Sequence, residues 1–249
     1  MARAAYLRAV AGLALLLFLL VGPQGEAKQA AAAGTSVRWL GHASFLITSA
    51  RGLRIVLDPY GAGVGYPLPH PTADIVVVSH EHFDHNAISE VRGHFQVVRG
   101  PGEHTAKGIS FRGIATYHDT SRGRERGRNT VFVFSVDGIR FCHLGDLGHM
   151  LSDGQVEEIG PVDVLFVPVG GYFTIDAAVA SKVVAQLRPR IVVPMHYQTE
   201  VTSPDLPIAG VEPFLKGKPN VKRLAPSSFF VSAAKLPKEQ TIFVPGWKD

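Results

Sequence analysis

The sequence predicts an α+β fold rich in strands, a sandwich whose two β-rich halves pack together, and three observations carry that expectation. Apolar or alternating runs of strand length recur at 37–40, 44–48, 53–57, 75–78, 109–117, 130–136, 139–144 and 191–195. Only one stretch carries a long helical repeat, where Ile175, Val179, Val183 and Leu187 recur every four positions. With 249 residues, 46% of them hydrophobic, the chain can bury a sizeable core as one large or two small domains. Charged residues make up 18%, which argues against disorder, and a net charge of +4 is too thin to argue for nucleic acid.

The start of the chain differs from the rest. Arg3 and Arg8 precede an apolar run, Val10 to Val21, and Gly25-Glu26-Ala27 offers small residues for cleavage. This is the outline of a secretory signal peptide over 1–27, because the run is about twelve residues against the roughly 20 that span a bilayer. The expectation is an exported, periplasmic or secreted protein, the alternative an uncleaved anchor that would be its one membrane contact. Residues 28–35 are alanine-rich and read as a flexible linker, leaving 36–249 as the working domain. Cys142, the sole cysteine, has no disulfide partner and sits in an apolar run as a packing residue.

Within the domain, Val37 to Thr48 alternates as two strands broken at Gly41-His42-Ala43. Leu53 to Leu57 follows and closes on Asp58-Pro59, then glycines and prolines over 61–71 make a long irregular loop. His42 and His70 could line a pocket. Ile75 to Val78 reads as a buried strand, Asn86 to Arg92 as a short helix and Phe95 to Val98 as another strand. Ile109 to Tyr117 ends at His118-Asp119. The stretch 121–128, with four arginines and two glycines, reads as a mobile basic loop, either a solvated hairpin or an anion clamp. Asp137-Gly138 marks a hairpin between Thr130–Val136 and Ile139–Leu144. Val162 to Val169 is a further strand. Thr174 is expected to cap the helix, with Asp176 in its first turn, Arg188 in its last and Pro189 stopping it. Strands at Ile191–Met195, near Phe229–Val231 and at Thr241–Val244 complete the series.

The chemistry concentrates after the 75–78 strand, in Ser79-His80-Glu81-His82-Phe83-Asp84-His85-Asn86. Three histidines and an aspartate at a strand's end are poorly explained by packing. His80 and His82 are spaced to grip one ion, and Asp84 and His85 could face a second. Downstream, His118, Asp146 and His196 each follow a strand. A carboxylate can bridge two cations where a neutral imidazole cannot, so Asp146, beside Gly145, suits a shared ligand. His149 and Tyr197 stand close by in sequence, with roles left open.

The spelling H-x-H-x-D-H resembles the motif of the metallo-β-lactamase-fold superfamily. That resemblance implies an αββα sandwich, two mixed sheets face to face with helices outside, and a dinuclear metal-dependent hydrolase. It also implies that His80, His82 and His118 hold one metal, that Asp84, His85 and His196 hold the other, and that Asp146 bridges them. Asp58 would support the metal-binding turn. Trp39-Leu40-Gly41-His42 and Pro194-Met195-His196-Tyr197 look most like the ascorbate-6-phosphate lactonase branch and its Zn-dependent relatives, and are similar to the N-acyl-phosphatidylethanolamine phospholipase D branch. His82 stands where iron-binding flavodiiron relatives have glutamate, which points to two Zn2+, with manganese or iron as alternatives.

On that basis a hydroxide held between two metals about 3.5–4 Å apart would attack a carbonyl carbon or phosphorus. Asp84 would orient it, and His42, His149 or Tyr197 would protonate the leaving oxygen. The expected substrate is a small ester, lactone or phosphoester, in keeping with a small-molecule and anionic partner. A nuclease or a non-catalytic metal-binding scaffold are the alternatives, and the oligomeric state is not written in the sequence.

Overall fold

Along Thr35–Gly41 (β1), Val37 and Trp39 face the core while Arg38 faces solvent, the two-residue period of a strand covered on one side. This computed structural model describes residues 34–247, so the leader expected over 1–27, and the linker up to residue 33, lie outside the described residues. Thr35, expected in that linker, is instead buried and paired with Val231.

Two mixed sheets form the body. The first runs β13 (Ser228–Val231), β1, β2 (Ser44–Thr48), β3 (Arg54–Leu57), β4 (Ile75–Val78), β5 (Gln96–Arg99). The second runs β12 (Val221–Leu224), β14 (Thr241–Pro245), β11 (Ile191–Met195), β10 (Val164–Pro168), β9 (Ile139–His143), β8 (Arg128–Val136), β7 (Ile109–Tyr117), β6 (Gly102–Ala106). Their inner faces share one apolar core, where the rings of Phe45 and Phe166 meet at 4.3 Å between centroids. β4 is buried on both faces: Ile75 and Val77 enter that core, while Val76 and Val78 join a smaller cluster with Val56 and Val91. Burial on two sides is why its sequence is apolar without alternation.

The pairing also decides where a site can form. β3, β4 and β5 are parallel, and β1 runs with β3 because both are antiparallel to β2. In the second sheet β9, β10 and β11 are parallel, and β7 runs with β9 through antiparallel β8. Within each sheet, the residues that follow β1, β3 and β4, or β7, β9 and β11, therefore leave at the same edge. His42, Asp58, His80, His118, Asp146 and His196 all follow these strands.

Two local expectations need correction. The helix expected over Asn86–Arg92 is only a 3-10 turn, Ile88–Glu90, because the Ala87 and Arg92 N–H groups donate to Pro59 and Pro71 carbonyls and not along a helix. The long helix, α2 (Ala177–Leu187), starts after Asp176, whose Oδ1 accepts from the Val179 N–H at 2.8 Å, and not at Thr174, since the Ile175 N–H is drawn to the Leu147 carbonyl. Arg188 ends it in a left-handed conformation. Before it lies an unforeseen helix, α1 (Asp153–Ile159), opened by a reciprocal Ser152–Gln155 capping box. A last short helix is α3 (Glu212–Leu215). Among the described residues no helix is long and apolar enough to cross a membrane.

The Asp137-Gly138 turn joins β8 to β9 with φ of 51° and 77°, the left-handed pair that a two-residue hairpin needs. Its carboxylate also ties the sheets together, accepting from the Thr35 hydroxyl at 2.8 Å and the Ala50 N–H at 2.7 Å. Asp137→Ala strands the buried Thr35 hydroxyl and should lower unfolding free energy by about 1–3 kcal/mol, read by urea denaturation.

Candidate metal centre

Asp58 leaves β3 with φ of 41° and is wholly buried, so its carboxylate must find partners. It has four: the Ser79 N–H at 2.8 Å, the Ser79 hydroxyl at 2.6 Å, His85 Nδ1 at 2.9 Å and His143 Nε2 at 2.8 Å. Burial pushes its pKa up, but His143 and His85 outweigh that and hold it well below the usual carboxylate range. An ionised Asp58 only accepts, so each of these groups donates to it. The Ser79 hydroxyl, spent on Asp58, then accepts from His80 Nδ1 at 2.9 Å. His80 and His85 are thereby fixed in one tautomer, with Nε2 turned inward.

Those inward nitrogens meet a second buried carboxylate. Asp146 follows β9, its N–H held at 3.0 Å by the Asn129 side chain, which also donates to the Leu144 carbonyl. Gly145 before it has φ of 54°, and a Cβ there would fall 2.6 Å from that of Ser79, so the chain passes this point only as glycine. Around the carboxylate, His118 Nε2 lies at 2.9 Å, His196 Nε2 at 3.2 Å, His85 Nε2 at 3.2 Å and His80 Nε2 at 3.9 Å. Burial opposes ionisation of Asp146, yet His196, His85 and His118 keep it well below the usual range.

The side chains fall into two groups about this carboxylate. Ligand atoms of His80, His82 and His118 lie within 4.8 Å of one another, and so do those of His42, Asp84, His85 and His196. His80 Nε2, His85 Nε2 and Asp146 Oδ1 are buried and make no aligned hydrogen bond, the last two meeting only as an ion-pair contact at 3.2 Å. Buried polar atoms are rarely left so, and converging lone pairs of this kind are what a cation satisfies; the residues fit a metal. Burial, with His85 beside it, pushes His80 down to about 3. His85 itself goes well above its usual value, because Asp146 and Asp84 overcome its burial, and a metal ion would displace that proton.

All seven residues expected as ligands are thus brought together, and His42 joins them more closely than its place in the sequence suggests. It occupies the β1–β2 turn with φ of 52°, its carbonyl accepts the His196 N–H, and its Nε2 is 3.2 Å from Asp84 Oδ2. Burial, then the nearby His196, lowers its pKa to about 4, so at neutral pH it is uncharged and donates to Asp84. The other candidates lie apart. His149 spends both nitrogens on backbone, accepting from the Tyr117 N–H and donating to the Met150 carbonyl. Tyr197 is buried against Trp39, ring centroids 5.3 Å apart, and lines a different groove beside Trp247. His70 is exposed and 3.2 Å from Glu90. Cys142 is buried, its thiol pushed up by that burial, in keeping with a packing role.

A two-sheet sandwich with a histidine and aspartate cluster at the strand ends defines a metal-dependent hydrolase of the metallo-β-lactamase superfamily. The sequence model of the family described as "Beta-lactamase superfamily domain" matches residues 36–196, and the chain belongs to that family. It is 31% identical over 192 residues to a metal-dependent hydrolase of Thermococcus onnurineus, covering 66% of this chain and 84% of the other. A metal-dependent hydrolase of Anaeromyxobacter is 30% identical over 239 residues, 80% of this chain and 87% of that one. Among solved structures, a protein assigned as a Zn-dependent hydrolase of the metallo-β-lactamase superfamily from Thermotoga maritima superposes with a TM-score of 0.70. It is 38% identical, over 85% of this chain and 98% of that one.

Asp58→Asn keeps the shape but forces an amide against groups that need an acceptor. Zinc affinity, measured by competition with a chromophoric chelator, should fall about 10- to 100-fold.

Proposed function

We propose that the chain holds two metal ions, zinc in preference to manganese or iron, and hydrolyses a small ester, lactone or phosphoester. The observation that carries this reading is Asp146, one buried carboxylate between two groups that each have side chains enough for an ion. His80, His82 and His118 would hold one ion, Asp84, His85 and His196 the other, with Asp146 shared. When bound, such ions polarise a carbonyl or phosphoryl oxygen and make water acidic enough to act as a nucleophile near neutral pH.

The rest falls to the chain's own side chains. Burial pushes the Asp84 carboxyl up, but His85 and the hydrogen bond from His42 outweigh it and keep Asp84 ionised. Its side chain is 15% exposed, against 2% for Asp146 and 0% for Asp58, so Asp84 is the carboxylate that water reaches. His42 fixes its rotamer through Oδ2. Asp84 therefore orients the attacking water, takes its proton and returns it to the leaving oxygen. His149 and Tyr197 are not needed as acids: the first has no nitrogen to spare, and burial drives the hydroxyl of the second to hold its proton more tightly.

A panel of neutral lactones, aryl esters, phosphomonoesters, phosphodiesters and single-stranded RNA, run on zinc-reconstituted protein, tests the class. Turnover is expected first on an ester or lactone and second on a phosphodiester, whereas activity on RNA alone would make the chain a nuclease. In Asp84→Asn, kcat should fall about 10²- to 10⁴-fold with the protein still folded. Full kcat in that variant would remove Asp84 from the reaction.

A further inference from the structure

The basic stretch 121–128 is not a free hairpin. Asp119, next to His118, accepts at Oδ1 from the Ser121 N–H, the Ser121 hydroxyl and the Gly123 N–H, each at 2.8 Å. At Oδ2 it accepts from the Glu125 N–H at 3.0 Å and the Arg126 N–H at 2.8 Å. One buried carboxylate thus winds the loop around itself, and the His118 N–H closes its base on the Gly127 carbonyl. A local acceptor satisfies the loop's backbone donors, which glycine-rich composition alone does not reveal.

That winding sorts the arginines. Arg122 and Arg124 do not line the cleft beside the metal centre, although Arg128, which does, is exposed like them. Arg126 and Arg128 do, and Arg99, from the end of β5 in the other sheet, meets them there. The cleft, of about 360 Å³, is floored by His80 and His82. Three arginines line it against one acidic residue, Glu81, which lies 3.1 Å from Arg99. Arg126 is half-buried, its guanidinium carbon 6.0 Å and 5.9 Å from the ring centroids of Tyr172 and Phe173. Its one carboxylate neighbour among the described residues, Glu125, is 3.8 Å away and exposed. Arg128 has no ion-pair partner among the described residues. Three cations converging from two sheets on a cleft, with too few acids to neutralise them, match an oxyanion in charge and geometry.

We infer that this cleft is a binding subsite for an anionic group, a phosphate or carboxylate, carried by the substrate beside the bond that is cut. Arg126 and Arg128 are its principal ligands, Arg99 completes it from the facing sheet, and Asp119 is the positioning residue. The inference rests on the hydrolase reading for the location of the cut bond. It explains why the loop is built on the residue after a metal-site histidine: anion and reacting centre are then held in one frame.

The test is calorimetric titration of zinc-reconstituted protein with phenylphosphonate and, separately, with phenylacetate, which distinguishes phosphate from carboxylate as the preferred group. At least one should bind, and in Arg126→Gln/Arg128→Gln its Kd should rise about tenfold or more. Arg99→Gln, on a different element, should weaken it in the same direction, while Arg122→Gln should leave it unchanged. Equal affinity in wild type and the double variant, or no binding of either anion to wild type, overturns the subsite. A neutral aryl ester offered to wild type keeps the two readings apart. Failure to cleave it tells against the hydrolase reading, whereas the titration reads the subsite without turnover.

Discussion

Asp58 touches no expected ligand atom that faces the site, yet the chemistry depends on it. A carboxylate buried in a β-sandwich is tolerated only when several donors surround it, and here the donors are the backbone and side chain of Ser79, together with His85 and His143. Because an ionised carboxylate cannot donate, the direction of every bond in this network is set from one atom group. His85 turns its Nε2 inward directly, and His80 does so through the Ser79 hydroxyl. His143 reaches Asp58 from the second sheet, so the same contact also locks the two sheets in register at the site edge.

Strand direction supplies the rest. The residues leaving β1, β3 and β4 in one sheet, and β7, β9 and β11 in the other, gather at the site edge, and three of them adopt left-handed backbone: His42, Asp58 and His196, at φ of 52°, 41° and 51°. Non-glycine residues in that region are strained and persist where surrounding structure holds them. The hydrogen bonds that hold these three, such as the His196 N–H on the His42 carbonyl, run between the strand ends themselves. The strain therefore belongs to the assembled edge and not to any single turn.

Much of this was legible in sequence for a physical reason. The cluster His80 to His85 is contiguous and follows a strand buried on both faces, so its register and its chemistry are visible together. His118, Asp146 and His196 stand out because each follows a strand-like run. The network behind them was not legible: His143 reads as one polar residue in a packing strand yet meets Asp58 85 positions away, while Asn129 and Ser79 act through Asp146 and Asp58, 17 and 21 positions away. Local competition also hid structure. The Ala87 and Arg92 N–H groups choose loop carbonyls over a helix, and Asp119 gathers a loop whose glycines suggest freedom. β6 is not legible in the sequence because it is an edge strand, mostly exposed and without an apolar alternation.

The central claim is that Asp146 is shared between two metal groups, and it is most directly tested by elemental analysis of purified, zinc-reconstituted protein alongside Asp146→Ala and His196→Ala. The account predicts about two metal ions per wild-type chain, near-complete loss from both groups in Asp146→Ala, and loss of about one ion in His196→Ala. Less than one ion per folded wild-type chain, or an Asp146→Ala variant that keeps both, would contradict it.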